Sequence, residues 1–219
     1  MRMSEKIYPI GIQNFEKIRK EGYFYIDKTA LIYRLVKTGS YYFLSRPRRF
    51  GKSLLISTLD AYFRGEKELF KGLAIEKLEK DWVQRPVLHI DLNIGKYDAP
   101  DSLDKILNEA LVKWESVFGT GAGESTLALR FKGVVERAYK QSGQRVAILV
   151  DEYDKPLLQA IGNEELQREY RNTLKPFYGV LKTMDGCIQF AMLTGVTKFG
   201  KVSVFSDLNN LEDLSMWNE

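Results

Sequence analysis

Five apolar residues in a row, Val146-Ala147-Ile148-Leu149-Val150, run directly into the acidic pair Asp151-Glu152. A segment this short, rich in β-branched residues and apolar on both sides, predicts a strand covered on both faces. Strands of that kind belong to parallel sheets, whose neighbours must be joined by crossover helices. The rest of the chain supplies the parts. Tyr41-Tyr42-Phe43-Leu44, Val87-Leu88-His89-Ile90-Asp91-Leu92 and the run from Ile188 to Leu193 read as three more strands, the last ending in Thr194-Gly195.

Helical periodicity fills the intervals. Leu31, Ile32, Leu35 and Val36 share one face behind an Asp27 cap, and Gly39 stops that helix. Leu54, Leu55, Leu59, Tyr62 and Phe63 point inward from a helix that opens at Gly51-Lys52-Ser53. The strongest signal spans Leu103, Ile106, Leu107, Ala110, Leu111, Trp114, Val117 and Phe118, ended by glycines at 119, 121 and 123. A further helix is predicted over roughly 125–141, and another over 164–184 that Pro176 should kink. Residues 65–85 read as a charged connector. The expected fold is α/β: a three-layer α-β-α sandwich around a mainly parallel sheet, of the P-loop NTPase type.

A strand, a turn long enough to hold a phosphate, and then Gly51-Lys52-Ser53 opening a helix is the order that anion binding requires. Gly51 allows close backbone approach, Lys52 would bridge the β and γ phosphates, and the Ser53 hydroxyl would ligate Mg2+. The pattern G-x-x-x-x-G-K-[ST] is incomplete, because Arg46 stands at the first glycine position and Pro47, lacking an N–H, follows it. Arg48, Arg49 and Phe50 complete the turn and are candidate nucleotide contacts. The two arginines could equally be solvated charges or contacts to a partner.

Asp151 ends a buried strand where ligands of open α/β folds collect, and it would hold Mg2+ through a water. Glu152 would then orient or deprotonate the attacking water. Thr194 offers a hydroxyl that could touch the γ phosphate or that water, although a threonine ending a strand is also ordinary. Asp154, just before Lys155-Pro156, is read as a helix N-cap. Lys198 and Lys201 are read as facing solvent. His89 is expected to carry no catalytic duty, and Asp91 is left unassigned.

Composition narrows the remaining classes. One cysteine, Cys187, and one histidine, His89, leave no disulfide and little material for a zinc site, and a reducing cytoplasm suits them. The longest apolar runs are too short to cross a bilayer, so neither secretion nor membrane insertion is expected. A net charge of +4 without a basic stripe interleaved with aromatics predicts weak nucleic-acid binding or none. Oligomeric state is not legible, and no arginine among Arg130, Arg137, Arg168 and Arg171 can be named as a finger.

Four segments together carry a family likeness: Gly22-Tyr23-Phe24-Tyr25-Ile26-Asp27-Lys28-Thr29, Ser45-Arg46-Pro47-Arg48-Arg49-Phe50-Gly51-Lys52-Ser53, Val150-Asp151-Glu152-Tyr153-Asp154-Lys155-Pro156 and Leu193-Thr194-Gly195-Val196-Thr197-Lys198-Phe199. In that order they closely resemble the predicted AAA-ATPase-like family of bacterial and archaeal proteins, across nearly the whole chain. The resemblance implies an ASCE-type P-loop core in which the Thr194 strand lies between the Lys52 and Asp151 strands. It also implies that Tyr25, Asp27, Lys28 and Thr29 lie near the nucleotide base, though an aromatic lead with an Asp27 cap fits those residues equally. Relatives commonly continue into a PD-(D/E)XK nuclease-like domain, of which no carboxylate motif is recognisable here.

The domain organisation expected from this is one unit over 1–219: a lead and helix over 1–38, a nucleotide-binding core over 39–205, and a tail over 206–219. The lid and nuclease-like domain are then missing, either because the chain is truncated or because it is a minimal module. The function expected first is a magnesium-dependent ATPase coupled to a nucleic-acid-directed partner or to a missing C-terminal domain. A switch that binds ATP or ADP without turnover and a small-molecule P-loop kinase using Glu152 or Asp91 are the alternatives.

Overall fold

The computed structural model describes residues 7–198 and 211–216. Its strands are β1 (Tyr41–Ser45), β2 (Val87–Asp91), β3 (Val146–Asp151), β4 (Ile188–Gly195) and β5 (Glu212–Asp213). All pair in parallel, in the order β2-β3-β4-β1-β5. The strand that carries Thr194 therefore lies between the strands that lead to Lys52 and to Asp151, as the resemblance implies.

Helices cover both faces. On one lie α1 (Phe15–Lys20), α2 (Thr29–Thr38), α3 (Lys52–Phe63) and α4 (Ala74–Leu78); on the other lie α5 (Ser102–Phe118), α6 (Leu127–Ser142), α7 (Lys155–Gln159) and α8 (Glu164–Thr183). The result is the expected three-layer sandwich. Side chains alternate along each strand, so the sheet divides its residues between two cores. Val146, Ile148 and Val150 pack toward α5, α6 and α8, whereas Ala147 and Leu149 pack toward α3. On β4, Ala191 and Leu193 face the first core while Phe190 and Met192 face the second. The same parity carries Asp151 and Thr194, the last residues of these series, onto the α3 side.

Local chemistry explains why the long elements start and stop where they do. Thr126 and Asn163 cap α6 and α8 by accepting the Leu129 and Leu166 N–H groups at 3.2 and 3.0 Å. Gly143, at φ 66°, ends α6 and turns the chain into β3. Pro176 does not divide α8, which runs as one helix of 20 residues across it.

Other departures from the sequence reading have simple causes. Residues 65–85 hold a 3-10 turn and α4, because Leu69, Phe70, Leu73 and Ile75 are buried between the charges. Leu31 and Val117 lie outside the core, 43% and 67% exposed, on the outer edges of otherwise buried helix faces. Residues 212–213, expected to be tail, form a short edge strand on β1. Among the described residues no helix is long and apolar enough to cross a membrane.

Candidate functional site

The carboxyl ends of β1, β3 and β4 converge on the first turn of α3. After β1 the chain makes a compact turn in which Arg49 and Gly51 take φ values of 68° and 75°. Gly51 tolerates that conformation without strain. Its carbonyl accepts the Leu55 N–H at 2.9 Å, closing the first turn of α3. Lys52, only 4% exposed, folds back beneath this turn. Its Nζ donates to the carbonyls of Arg46 and Pro47 at 3.0 and 3.3 Å and sits 3.2 Å from Oε1 of Glu152.

Glu152 reaches that position by breaking the strand's alternation. Continued regularly, β3 would send it to the α8 side; instead it adopts φ 54°, a conformation costly for a residue with a Cβ. Burial pushes its carboxyl above the ordinary glutamate value, against the opposing pull of Lys52 and with Asp151 and Asp154 adding to the rise. Asp151 is buried and accepts the hydroxyl of the fully buried Thr194.

The next two residues lock the strand ends together. The Tyr153 N–H donates to the Thr194 carbonyl at 2.8 Å, and the Tyr153 hydroxyl donates to the Thr197 carbonyl at 2.9 Å. Asp154 occupies the N-cap position of α7, but its side chain makes no cap, which corrects the sequence reading. It instead accepts the N–H of Val196 at 3.1 Å, and the N–H and hydroxyl of Thr197 at 2.7 and 2.8 Å. Two converging backbone donors outcompete a helix terminus already served by Pro156, which has no N–H to satisfy. Gly195 makes this approach feasible, since a Cβ there would collide with the Tyr153 ring and lie 2.7 Å from Oδ1 of Asp154.

Three hollows surround the turn. One of about 810 Å³ holds Arg48, Arg49, Lys52, Ser53 and Glu152 on its wall. A second, of about 530 Å³ and mainly apolar, shares Pro9, Gly51 and Leu54 with the first and is lined by Tyr25, Phe50 and Leu31. A third, of about 350 Å³, shares Gln13 and Ser53 with the first and contains Asp151, Asp91, Asp60 and His89. Lys52, Ser53, Asp151, Glu152 and Thr194 are thus brought to one end of the sheet.

Asp27 is not brought there. Its Oδ1 accepts the Thr29 N–H and hydroxyl at 2.9 and 2.6 Å, and its Oδ2 accepts the Ala74 N–H at 2.7 Å. This carboxylate ties the starts of α2 and α4 together and does not line the apolar hollow, whereas Tyr25 and Lys28 do. Lys198 pairs with Asp213 at 3.0 Å. Lys201 lies outside the described residues.

Residues 9–205 match the protein family described as "Predicted AAA-ATPase". The chain belongs to that family. A protein of Azotobacter chroococcum mcd 1, described as an uncharacterized protein in the vnfD 5' region, is 44% identical over 216 residues, covering 98% of this chain. Those residues make up 42% of that relative, so the chain spans less than half its length. Membership of the AAA-ATPase-like family supports nucleotide binding in general, and the parallel sheet with a lysine-bearing turn at its carboxyl edge is the architecture that such binding uses.

Sequence reasoning missed several residues at this AAA-ATPase-like site. Pro9–Gln13 wall the hollow that holds Lys52 and Glu152, although nothing in their pattern marks them. Lys155 and Asn93 line it as well, joined by hydrogen bonds from Lys155 Nζ to the Asn93 carbonyl and Oδ1 at 2.5 and 2.7 Å. The Asp60–His89 contact, 3.3 Å between Oδ2 and Nδ1, was findable from parity, since His89 shares its strand face with Val87 and Asp91.

Proposed function

We propose that this domain binds ATP with magnesium and hydrolyses it, and that the cycle drives the remainder of a longer chain or a partner. The observation that carries the reading is the 3.2 Å contact of Lys52 Nζ with Glu152, at the same end of the sheet as the hydrogen-bonded Asp151–Thr194 pair. A lysine and a candidate base in one hollow, and a candidate metal ligand in the neighbouring hollow that Ser53 also lines, are the groups that hydrolysis of a triphosphate needs, which supports the reading.

The donor set fits Mg2+. Thr194 occupies one oxygen of Asp151 and leaves the other open, and the Ser53 hydroxyl borders the same hollow. Among the described residues no group of three histidine, cysteine or acidic side chains forms a protein cage. That suits an ion held by one or two protein oxygens together with phosphates and water. Magnesium, when bound, would neutralise charge across the β and γ phosphates.

In this reading the chain's own residues divide the work. Lys52 leaves Glu152 for the phosphates, which frees the Glu152 carboxylate to orient water and take its proton. Thr194 acts through Asp151, fixing its carboxylate by hydrogen bond. The base enters the apolar hollow beside Tyr25 and Phe50. Among the described residues, the charged groups lining that hollow are Lys28, Arg34 and Arg46.

Titration with an ATP analogue and magnesium, followed by phosphate release, tests the proposal. Lys52→Ala should lose binding and release, and Glu152→Gln should bind but not release. Unchanged release in both variants overturns the reading. Binding without release in the unaltered chain establishes the switch instead.

A further inference from the structure

The hollow that holds Lys52 and Ser53 contains four cationic side chains, and their commitments differ. Lys52 is tied to Glu152 and to two carbonyls, and Lys155 is tied to Asn93. Arg48 and Arg49 line the same wall, are exposed, and make no hydrogen bond or ion pair with any described residue. Their backbone is also unusual. Arg49 holds φ 68°, a region where glycine is the low-cost occupant, yet this turn carries a long cationic side chain there. A glycine-rich turn binds phosphate through its N–H groups and one lysine, whereas this one loses a donor at Pro47 and adds two arginines to the wall of the same hollow.

Three other arginines are already engaged. Arg130 forks onto Glu115 at 2.8 and 2.7 Å, and Arg137 pairs with Glu124, both in the α5–α6 layer behind the sheet. Arg46 donates to the Ser215 carbonyl at 2.5 Å. In phosphoryl transfer the charge that develops on the γ phosphate and the leaving oxygen is commonly met by an arginine, supplied either from a second subunit or from the same chain.

We infer that Arg48 and Arg49 supply this cation from within the chain, so that the domain carries its own arginine finger in the phosphate-binding turn. The inference rests on the hydrolysis reading. As the water oxygen bonds to the γ phosphorus, the bond to the β–γ bridging oxygen breaks and its electron pair leaves with ADP. The water proton passes to Glu152 and then to the phosphate released. A guanidinium from the turn stabilises the charge on the bridging and γ oxygens at that moment, while contributing little to ADP binding.

The test compares the unaltered chain with the double variant Arg48→Ala/Arg49→Ala. Both side chains are exposed, so folding should survive, which a melting curve checks. The variant should bind ADP within a few-fold of the unaltered chain, yet lose about 10³-fold in phosphate release. It should also fail to capture ADP with aluminium fluoride, a transition-state mimic. Turnover per molecule of the unaltered chain should not change with protein concentration, because the cation needs no second copy.

The inference is overturned if the variant keeps turnover and fluoroaluminate capture, if ADP affinity falls as far as turnover, or if turnover rises with concentration. Failure of the underlying reading looks different: the unaltered chain itself would bind ADP but neither release phosphate nor capture fluoroaluminate.

Discussion

The two faces of the sheet are built to different standards. The face covered by α5, α6 and α8 is filled: Phe131 and Phe177 stack at 4.4 Å with planes 7° apart, and Leu103, Leu107, Leu111 and Leu174 are fully buried around them. The face covered by α1 to α4 is also apolar beneath the strands, but toward the carboxyl edge it opens into the three hollows, one of which α7 also walls through Lys155, Leu158 and Gln159. There Leu31, Phe50 and Ile26 stand 43%, 67% and 68% exposed. One layer holds the strands in register, and the other leaves space above their ends. Stability and ligand chemistry are thus separable by face, and substitutions should sort accordingly.

The largest effect should come from the filled face. Phe177→Ala should cost about 3–5 kcal/mol in denaturant unfolding while leaving nucleotide affinity of the folded protein unchanged; a parallel loss of affinity would break the contrast. Asp154→Ala sits at the seam between the two regimes. Removing a carboxylate that serves Val196 and Thr197 should cost about 2–3 kcal/mol and also lower phosphate release, because the ends of β3 and β4 lose their tie.

Smaller effects are expected on the open face. Burial pushes the Asp60 carboxyl up, but hydrogen bonds from His89 and Arg64 and their charges outweigh it and hold the group below its ordinary 3.8. The stability it contributes is therefore present at neutral pH and lost as pH falls through that lowered value. Unfolding measured between about pH 6 and about pH 3 should show a gap of about 1 kcal/mol between the unaltered chain and Asp60→Asn that narrows on acidification. A gap independent of pH would show that the pair matters through packing alone. Smallest is Leu31→Ala, expected to shift stability by no more than about 0.5 kcal/mol yet weaken nucleotide binding about threefold to tenfold by calorimetric titration. The reverse outcome would assign Leu31 to the core after all.

Much of this was legible from residue order. The run from Val146 to Val150 demanded a covered parallel strand ending on Asp151, and strand alternation puts Asp151 on the face shared by Ala147 and Leu149. Lys52 and Ser53 followed from a strand, a turn and a helix in succession. What stayed hidden depends on contacts between distant segments. The wall formed by Pro9–Gln13 carries no periodic signal. Asp27 has the local look of a helix cap, but its second oxygen is claimed by Ala74, 47 residues away. Glu152 was identified by type, yet its pairing with Lys52 depends on a left-handed backbone that no propensity scale assigns to glutamate. Asp154 shows the same limit, since the donors it serves lie 42 and 43 residues downstream.

That last arrangement has a practical corollary for protein engineering. The segments following β3 and β4 form a single cassette, hinged on a glycine that admits the Tyr153 ring. Transplanting either one alone into another scaffold would strand an inward-facing anion or orphan two amides, so recombination between homologues should succeed only when crossover points keep residues 151–154 and 194–197 from the same parent.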